Sequence, residues 1–352
     1  MTRSRFVLFA SMALVVVGMA VGLGALWMSP ARAAVGPLAG EALILPGDAR
    51  FVMGFDVKRF TASPFYARFA AEGGMKPEAL QQLEEKTGLS PARDIDHLVI
   101  AGSPGGRKGA PGLAIAFGRF DLYKLGRTLE TDGKATGTSH EGVTVYAFGD
   151  GIGRREGHRD GEKQGGLAVA FLDDRTLVFG AEDQVLAAVG SRSRNETPLK
   201  SNVALMALVE KVRPGSTFWM VGDQSLLAGL PTSLPAPGAS ADGTATMTLP
   251  ALTGLTVTGD LDPQVSLAIT GEAKDAIAAK NLADVVRGLV ALASLQAQQK
   301  PELQQLASAI SVATEENRVL VAARIPYEML EALQPKKPRA AEAPSPKAPS
   351  IR

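Results

Sequence analysis

The spacing of apolar residues divides the body of the chain into short strands and helices. In the first half the pattern predicts, in order, strand 50–57, a helix beginning at Ser63-Pro64, helix 77–87, strands 96–101 and 113–118, helix 122–130, strands 143–148, 167–172 and 176–180, and helix 182–189. In the second half it predicts helix 202–212, strand 217–221, a Pro/Ala/Ser/Gly-rich loop or hairpin tip at 229–250, strands 252–258 and 265–270, helices 273–295 and 301–308, strands 309–313 and 319–325, and helix 327–333. Short turns join most consecutive strands, which predicts mainly antiparallel pairing.

The order of elements repeats. A strand ending at Asp56 corresponds to one ending at Asp223, and the unit 167–189 corresponds to 309–333, each being strand, acidic turn, strand and short amphipathic helix. We therefore predict an α+β fold of two tandem related modules, each a mainly antiparallel sheet with helices packed on one face. The modules are expected at 41–200 and 201–334. Whether they share one continuous sheet stays open.

The N-terminal segment, residues 1–34, has the character of a membrane-targeting sequence. Arg3 and Arg5 precede the uncharged stretch 6–28, which is longer than most signal-peptide cores and long enough to span a bilayer. Besides a targeting role, the stretch could form a terminal helix buried in the folded core, although no polar residue gives it a solvent-facing side.

A candidate signal-peptidase site follows this stretch, because Ala31 and Ala33 form a small-x-small pattern. The segment is either a signal peptide cleaved after about Ala33 or a retained anchor, and under both interpretations the positive-inside rule places the body outside the cytoplasm. We expect a cell-envelope protein, periplasmic or extracytoplasmic. It is secreted if cleaved and anchored in the inner membrane by a single pass if not.

Charge is distributed unevenly along the chain. The formal net charge is +1, but the leader is +3, the tail 335–352 is +4, and the body between them is −6. An acidic body argues against nucleic acid as the partner. The tail is rich in Pro, Ala and Lys, which predicts a disordered segment that could tether the protein to anionic wall polymers or lipid head groups. The chain has no cysteine, which excludes disulfides, thiolate chemistry and a lipidated cysteine.

The glycine-rich loop 102–109 resembles a phosphate cradle only superficially. A P-loop needs glycine before its lysine and Ser or Thr after it, whereas Arg107 and Gly109 stand at those positions. We interpret the loop as a basic connection between strands. No Gly-x-Ser-x-Gly elbow occurs in the sequence either.

Histidines and paired carboxylates offer little for chemistry. His97, His140 and His158 are the only histidines, and none lies at helical spacing from another, so no zinc site is predicted. The carboxylate pairs are Asp94 with Asp96, Asp173-Asp174, and Glu315-Glu316. The last two pairs fall in predicted turns, where acids are favoured for solvation and local hydrogen bonds. We predict no catalytic residue, no metal ligand and no cofactor.

Two further segments have alternative interpretations. The loop 151–166 mixes basic and acidic residues among glycines and is typical of a solvated excursion. Phe218-Trp219-Met220 opens the second module and is either a buried strand or an aromatic platform for a ligand.

Several short motifs resemble those of a loosely defined group of uncharacterised exported bacterial proteins with a duplicated α+β module. The motifs are Leu45-Pro46-Gly47-Asp48-Ala49, Phe55-Asp56-Val57, Ser63-Pro64-Phe65-Tyr66, Gly88-Leu89, and Arg93-Asp94-Ile95-Asp96. The resemblance covers about 41–333 and implies an architecture. It implies no activity, because none is known for the group.

Two functions are compatible with these observations. The first is a non-enzymatic binding or scaffolding ectodomain, with an unknown envelope protein or ligand as partner and contact with the membrane through an uncleaved leader. The alternative is a cryptic hydrolase acting on an envelope or secreted substrate, for which the sequence offers no catalytic motif.

The leader generates a direct test. After cell fractionation the protein is expected in the envelope or the medium, and N-terminal sequencing should find a start near Ala34 if the segment is cleaved, or Met1 in the membrane fraction if it is retained. Intact protein beginning at Met1 and dissolved in the cytosol would contradict the prediction.

Overall fold

A computed structural model describes residues 38, 40–71, 84–85, 88–103, 112–131, 135–148, 166–228, 233–235, 246–248, 250–296 and 301–333. The leader with Ala31 and Ala33, the tail 335–352, most of the predicted helix 77–87 and most of the loop 151–166 lie outside these residues.

The first half contains seven strands and five α-helices among the described residues. The strands are β1 (Phe51–Asp56), β2 (Ile95–Gly102), β3 (Gly112–Gly118), β4 (Ala135–His140), β5 (Val143–Phe148), β6 (Leu167–Asp173) and β7 (Thr176–Ala181). The helices are α1 (Val57–Ala62), α2 (Pro64–Ala71), α3 (Pro91–Asp94), α4 (Leu122–Thr131) and α5 (Glu182–Ser193). A 3-10 helix, Gly40–Ile44, precedes β1.

The second half begins with a 3-10 helix, Pro198–Ser201, and contains the remaining elements. The strands are β8 (Phe218–Asp223), β9 (Ser233–Pro235), β10 (Thr246–Thr248), β11 (Leu252–Asp260), β12 (Val265–Ala273), β13 (Ile310–Glu315) and β14 (Arg318–Ile325). The helices are α6 (Val203–Val209), α7 (Gln224–Leu227), α8 (Ala276–Gln296), α9 (Pro301–Ser308) and α10 (Tyr327–Leu333).

One antiparallel sheet runs through both halves. Its 12 described strands follow the order β13-β14-β12-β11-β8-β1-β2-β3-β7-β6-β5-β4, and β9 and β10 form a separate hairpin. The first strands of the two halves, β1 and β8, pair with each other, with Val52 opposite Val221 and Gly54 opposite Trp219. The two modules therefore share a continuous sheet, which the sequence left open.

The predicted α+β fold of two related antiparallel modules is confirmed. Going outward from the centre, β1, β2, β3, β7 and β6 correspond to β8, β11, β12, β14 and β13. The matched aspartates do the same work in each module: the Asp56 carboxylate accepts from the Arg59 amide at 2.8 Å at the start of α1, and the Asp223 carboxylate accepts from the Ser225 amide at 2.9 Å at the start of α7. Both are helix N-caps.

The hairpin partner of β5 was missed by the sequence pattern. Strand β4 has the sequence ATGTSH and is mostly exposed, so it shows no apolar alternation. It forms the outer edge of the sheet and extends the first module beyond the repeat shared with the second. An edge strand needs few apolar residues, because its stability comes from backbone pairing with one neighbour.

Most helices pack on one face of the sheet, as predicted. On this helical face lie Phe55, Leu98 and Leu177 of the first module, with Phe60 of α1 and Leu125 of α4 against them. In the second module the same face carries Leu267, Ala323, Val319 and the buried side of α8.

A smaller helical layer covers part of the second face. The alternate residues of the same strands, such as Val52, Ile115 and Val178, pack there against α5 and α6. Two layers are needed because β1 to β3 are apolar on both sides and would otherwise expose one side to water.

A close contact between Gly54 and Trp219 lies at the centre of the sheet, where the modules join. Trp219 is buried, and a Cβ atom added at Gly54 would overlap its indole Nε1 and Cε2 atoms. Because Gly54 has no side chain, β1 leaves the space that the Trp219 indole of β8 fills.

Gly54→Ala is expected to destabilise the protein by about 1–3 kcal/mol, because the extra methyl group overpacks the seam between the modules. Urea denaturation of the two proteins measures the difference. Gly288→Ala is the matched control: Gly288 lies in α8 with nothing within 4 Å of an added Cβ, so this change should leave stability equal or raise it by about 0.5–1 kcal/mol. Equal stability of Gly54→Ala and the wild type would contradict the proposed role of this contact.

Candidate functional site

Trp219 belongs to the core. It packs with Val52, Val99 and Val221 in the largest apolar cluster and is 8% exposed. Of the two interpretations of Phe218-Trp219-Met220, the buried strand is correct, because the indole fills the space above Gly54 and is not presented to a ligand.

A buried carboxylate lies next to this seam. Asp260, at the end of β11, is 2% exposed, and its Oδ1 accepts hydrogen bonds from the backbone amide and the hydroxyl of Thr217, each at 3.0 Å. The Arg59 guanidinium of the first module approaches the same oxygen at 3.6 Å. A carboxylate is tolerated in such a site because charge and donors compensate its lost hydration. Asp260 thus connects the modules, a role that no sequence pattern marked.

His97 lies at the same end of the sheet. It is opposite Asp56 in the β1–β2 pairing, and its ring stacks on Phe117 with centroids 4.4 Å apart and planes 16° apart. Burial lowers the pKa of His97 below its ordinary value of 6.5, and the nearby carboxylates of Asp56 and Asp96 oppose this shift. Lys58, which forms an ion pair with Asp96, lowers the His97 pKa further. The lowered pKa favours the neutral imidazole, which stacks on the Phe117 ring.

The paired carboxylates act in local structure. Asp173 accepts from the Arg175 amide at 2.9 Å in the β6–β7 turn and pairs with Arg192 of α5 at 3.2 Å. Glu315 pairs with Arg318 across the β13–β14 turn at 3.3 Å. Asp94 accepts from the Ser90 amide at 2.7 Å. Each of these carboxylates therefore has a local hydrogen-bond or ion-pair partner.

A shallow depression of about 380 Å³ lies beside the β6–β7 turn. It is lined by Arg119, Phe120, Asp121, Asp174 and Arg175 and is open to solvent. A backbone hydrogen bond joins two of these residues, because the Phe120 amide donates to the Asp174 carbonyl at 2.8 Å. Charges of both signs alternate around it, which favours no particular ion.

No cluster of three or more His, Asp or Glu suited to a metal ion occurs in the described parts of the chain. Among the same residues, which do not include the leader, no helix is long and apolar enough to cross a membrane. His140 ends the edge strand β4, while His158 and the loop segment 104–109 lie outside the described residues.

Part of the sheet is left uncovered by the residues that the structure describes. On the second face, strands β12, β14 and β13 present two rows of uncharged side chains, Ala268–Ala322–Ser311 and Thr270–Leu320–Ala313, which we call the open patch. Ser311 and Ala313 are exposed, and the other four are partly exposed. The described helices that contact these strands, α8 and α9, lie on the helical face.

Charged residues bound the open patch at both ends. Glu272, Arg318 and Glu315 form a row across the three strands at one end, where Lys211 also pairs with Glu272 at 2.5 Å. Exposed Arg324, opposite Ser266, lies at the other end. A neutral surface with charged borders resembles the apolar centre and polar rim of a protein–protein interface.

The same surface is buried in the first module. The β6–β7 and β13–β14 hairpins correspond turn for turn, so Ala168, Ala170 and Val178 match Ser311, Ala313 and Leu320. The three first-module residues are at most 1% exposed beneath α5. Sequence reasoning missed the open patch because it paired α5 with α10, whereas Tyr327 at the start of α10 packs on the helical face and donates a hydrogen bond to the Leu261 carbonyl.

The comparisons with known proteins add little. No protein-family model matches this sequence, and no curated protein matches it. Among solved structures, crystal form III of TP0453, a Treponema protein, aligns with a TM-score of 0.44 and 10% identity over 85% of this chain and 97% of that one. Crystal form I of TP0453 aligns with a TM-score of 0.42 and 12% identity over 85% and 96%. Likeness at this level says nothing about activity or partners, and the resemblance to exported proteins stays a prediction.

His97 generates a prediction about pH. Because its folded-state pKa is below that of the unfolded chain, the unfolded state binds the proton first as pH falls through about 6.5. As the pH is lowered through this window, the free energy of unfolding is therefore expected to decrease, and it should level off once His97 of the folded protein is also protonated. His97→Gln should flatten the fall, and the NMR titration midpoint of the His97 ring should lie below 6.5. A midpoint above 6.5 would contradict the prediction.

Proposed function

We propose that the protein is an exported cell-envelope protein whose folded body binds a protein partner through the open patch. The N-terminal residues 1–34 direct it across the membrane and, if they are retained, also hold it there. In this role the body is a binding or scaffolding ectodomain with no cofactor, and the partner is an envelope protein.

The open patch is the observation that carries the proposal. In the first half α5 covers this side of the module's sheet and excludes the corresponding residues from water. In the second half Leu320 and the alanines around it stay partly exposed to water among the described residues. Covering them with a partner removes apolar surface from water, and this burial stabilises the complex by about 25 cal/mol per Å².

The polar groups at the seam favour binding over catalysis. Asp260 is held by Thr217 and Arg59, and His97 lies flat on Phe117. These groups have structural partners, and nothing in the described residues supports the hydrolase alternative.

A charge placed on the open patch tests the proposal. Ala313→Glu adds an exposed carboxylate to the patch, and Thr314→Glu adds the same group to the next residue of β13, which is also exposed but points to the helical face. Photo-crosslinking from position 313 in intact cells should trap an envelope protein, and co-purification of that protein should fall at least tenfold with Ala313→Glu.

Thr314→Glu should retain the partner at the wild-type level, because its charge lies on the other side of the sheet. Both variants should unfold at the wild-type urea concentration, which excludes misfolding as the cause of a loss. Equal retention of the cross-linked protein by Ala313→Glu and Thr314→Glu would reject the open patch as its binding site.

A further inference from the structure

We propose that the partner inserts an amphipathic α-helix onto the open patch, in the position that α5 occupies in the first module. The inference rests on the proposed function and names the kind of element that the patch receives. It follows from four observations: the match between the sheet residues beneath α5 and those of the open patch, the contacts of α5, the size of the patch, and an acidic residue at its end.

The sheet residues beneath α5 and those beneath the proposed helix, which we call the two floors, match in shape. Val178 and Gly180 of β7 correspond to Leu320 and Ala322 of β14, and the turns Asp174-Arg175 and Glu316-Asn317 occupy the same place in each hairpin. Small side chains let a helix approach a sheet closely. The second floor is slightly higher, because leucine replaces valine and alanine replaces glycine. The proposed helix is therefore expected to carry small residues where it crosses Leu320.

The contacts of α5 give the pattern of the proposed helix. α5 buries Val185, Ala188 and Val189, which lie at i, i+3 and i+4 and form one side of a helix. A partner helix of the same kind would present alanine or valine at this spacing to Ala268, Ala322 and Ser311. Its remaining sides would be polar.

An acidic residue at the end of the patch indicates the direction of the helix. In the first module Arg192, in the last turn of α5, pairs with Asp173 at the β6–β7 turn at 3.2 Å. Glu315 is the corresponding residue of the β13–β14 hairpin and is exposed. A basic residue in the last turn of the proposed helix would therefore meet Glu315, an arrangement that the helix dipole also favours.

The size of the patch favours a single helix over a second copy of the chain. With strands about 4.8 Å apart and a rise of about 3.3 Å per residue, the patch with its charged borders covers about 300 Å². A stable dimer commonly buries about 800 Å² on each partner. A helix of 12 residues, the length of α5, is about 18 Å long and matches the patch.

The α5 sequence itself supplies the probe. A fluorescent, helix-stapled peptide of Glu182–Ser193 is titrated with the full chain and followed by anisotropy. Saturable binding is expected with wild-type protein and with Thr314→Glu, and at least tenfold weaker binding with Ala313→Glu. A peptide carrying Val185→Glu should also bind at least tenfold more weakly. The floor match is contradicted if the Val185→Glu peptide binds as well as the parent.

The proposed ion pair has its own test. Glu315→Gln should weaken binding of the parent peptide about threefold and should not weaken binding of a peptide carrying Arg192→Gln, because that peptide has no cation to lose. Equal effects on the two peptides would overturn the proposed direction of the helix.

The outcomes separate this inference from the proposed function. If the peptide fails to bind while photo-crosslinking at position 313 still traps a partner, the partner is not a helix of this kind and the function stands. If neither is seen, both are wrong. If light scattering shows a dimer that Ala313→Glu dissociates, the occupant is a second copy, and the inference of a partner helix is overturned.

Discussion

The antiparallel pairing of β1 with β8 is the contact on which the rest of the structure depends. It joins the first strands of the two modules, so the remaining strands of each are added outward in opposite directions. Each module alone would leave the edge of an apolar strand unpaired, which favours aggregation. Pairing these two strands removes the unpaired edges at the centre, and the exposed edges of the described sheet become β4 and β13, which are both six residues long and mostly exposed.

Complementary shapes and charges make this pairing specific. Trp219 fills the space left by Gly54, so the two strands fit in one register. Beside them, Asp260 accepts two hydrogen bonds from Thr217 of its own module, and the Arg59 guanidinium of the first module forms an ion pair with it at 3.6 Å. A shift of one residue between β1 and β8 would put the Trp219 indole and the space above Gly54 on opposite faces of the sheet and would move Arg59 away from the buried Asp260 carboxylate, and both changes cost free energy. The seam therefore specifies how the modules join as well as stabilising them.

The duplication also explains where a binding surface can arise. The β6–β7 and β13–β14 hairpins are equivalent in the two modules, and only β6–β7 is followed by a helix that packs on the second face. The chain after β14 turns instead to the helical face, where the Tyr327 ring lies under the Arg68 guanidinium at 4.8 Å. One copy of the repeat thus keeps its internal cover, while the described residues of the other leave the same floor accessible. A duplicated fold can gain a site in this way without new catalytic groups, because the surface was already shaped to receive a helix.

The sequence by itself determined the local elements and their repetition. Apolar spacing predicted most strands and helices within a few residues, including α10 at Tyr327–Leu333, and it placed Asp56 and Asp223 at equivalent strand ends. These features depend on neighbours in the chain, through side-chain period and capping. The tertiary structure alone decided that the modules share one sheet, that Trp219 is core, that β4 forms an edge, and that Ser311 and Ala313 lie open while Ala168 and Ala170 are buried. Each of these depends on which surface lies opposite a residue, and that is fixed by contacts between segments far apart in the chain.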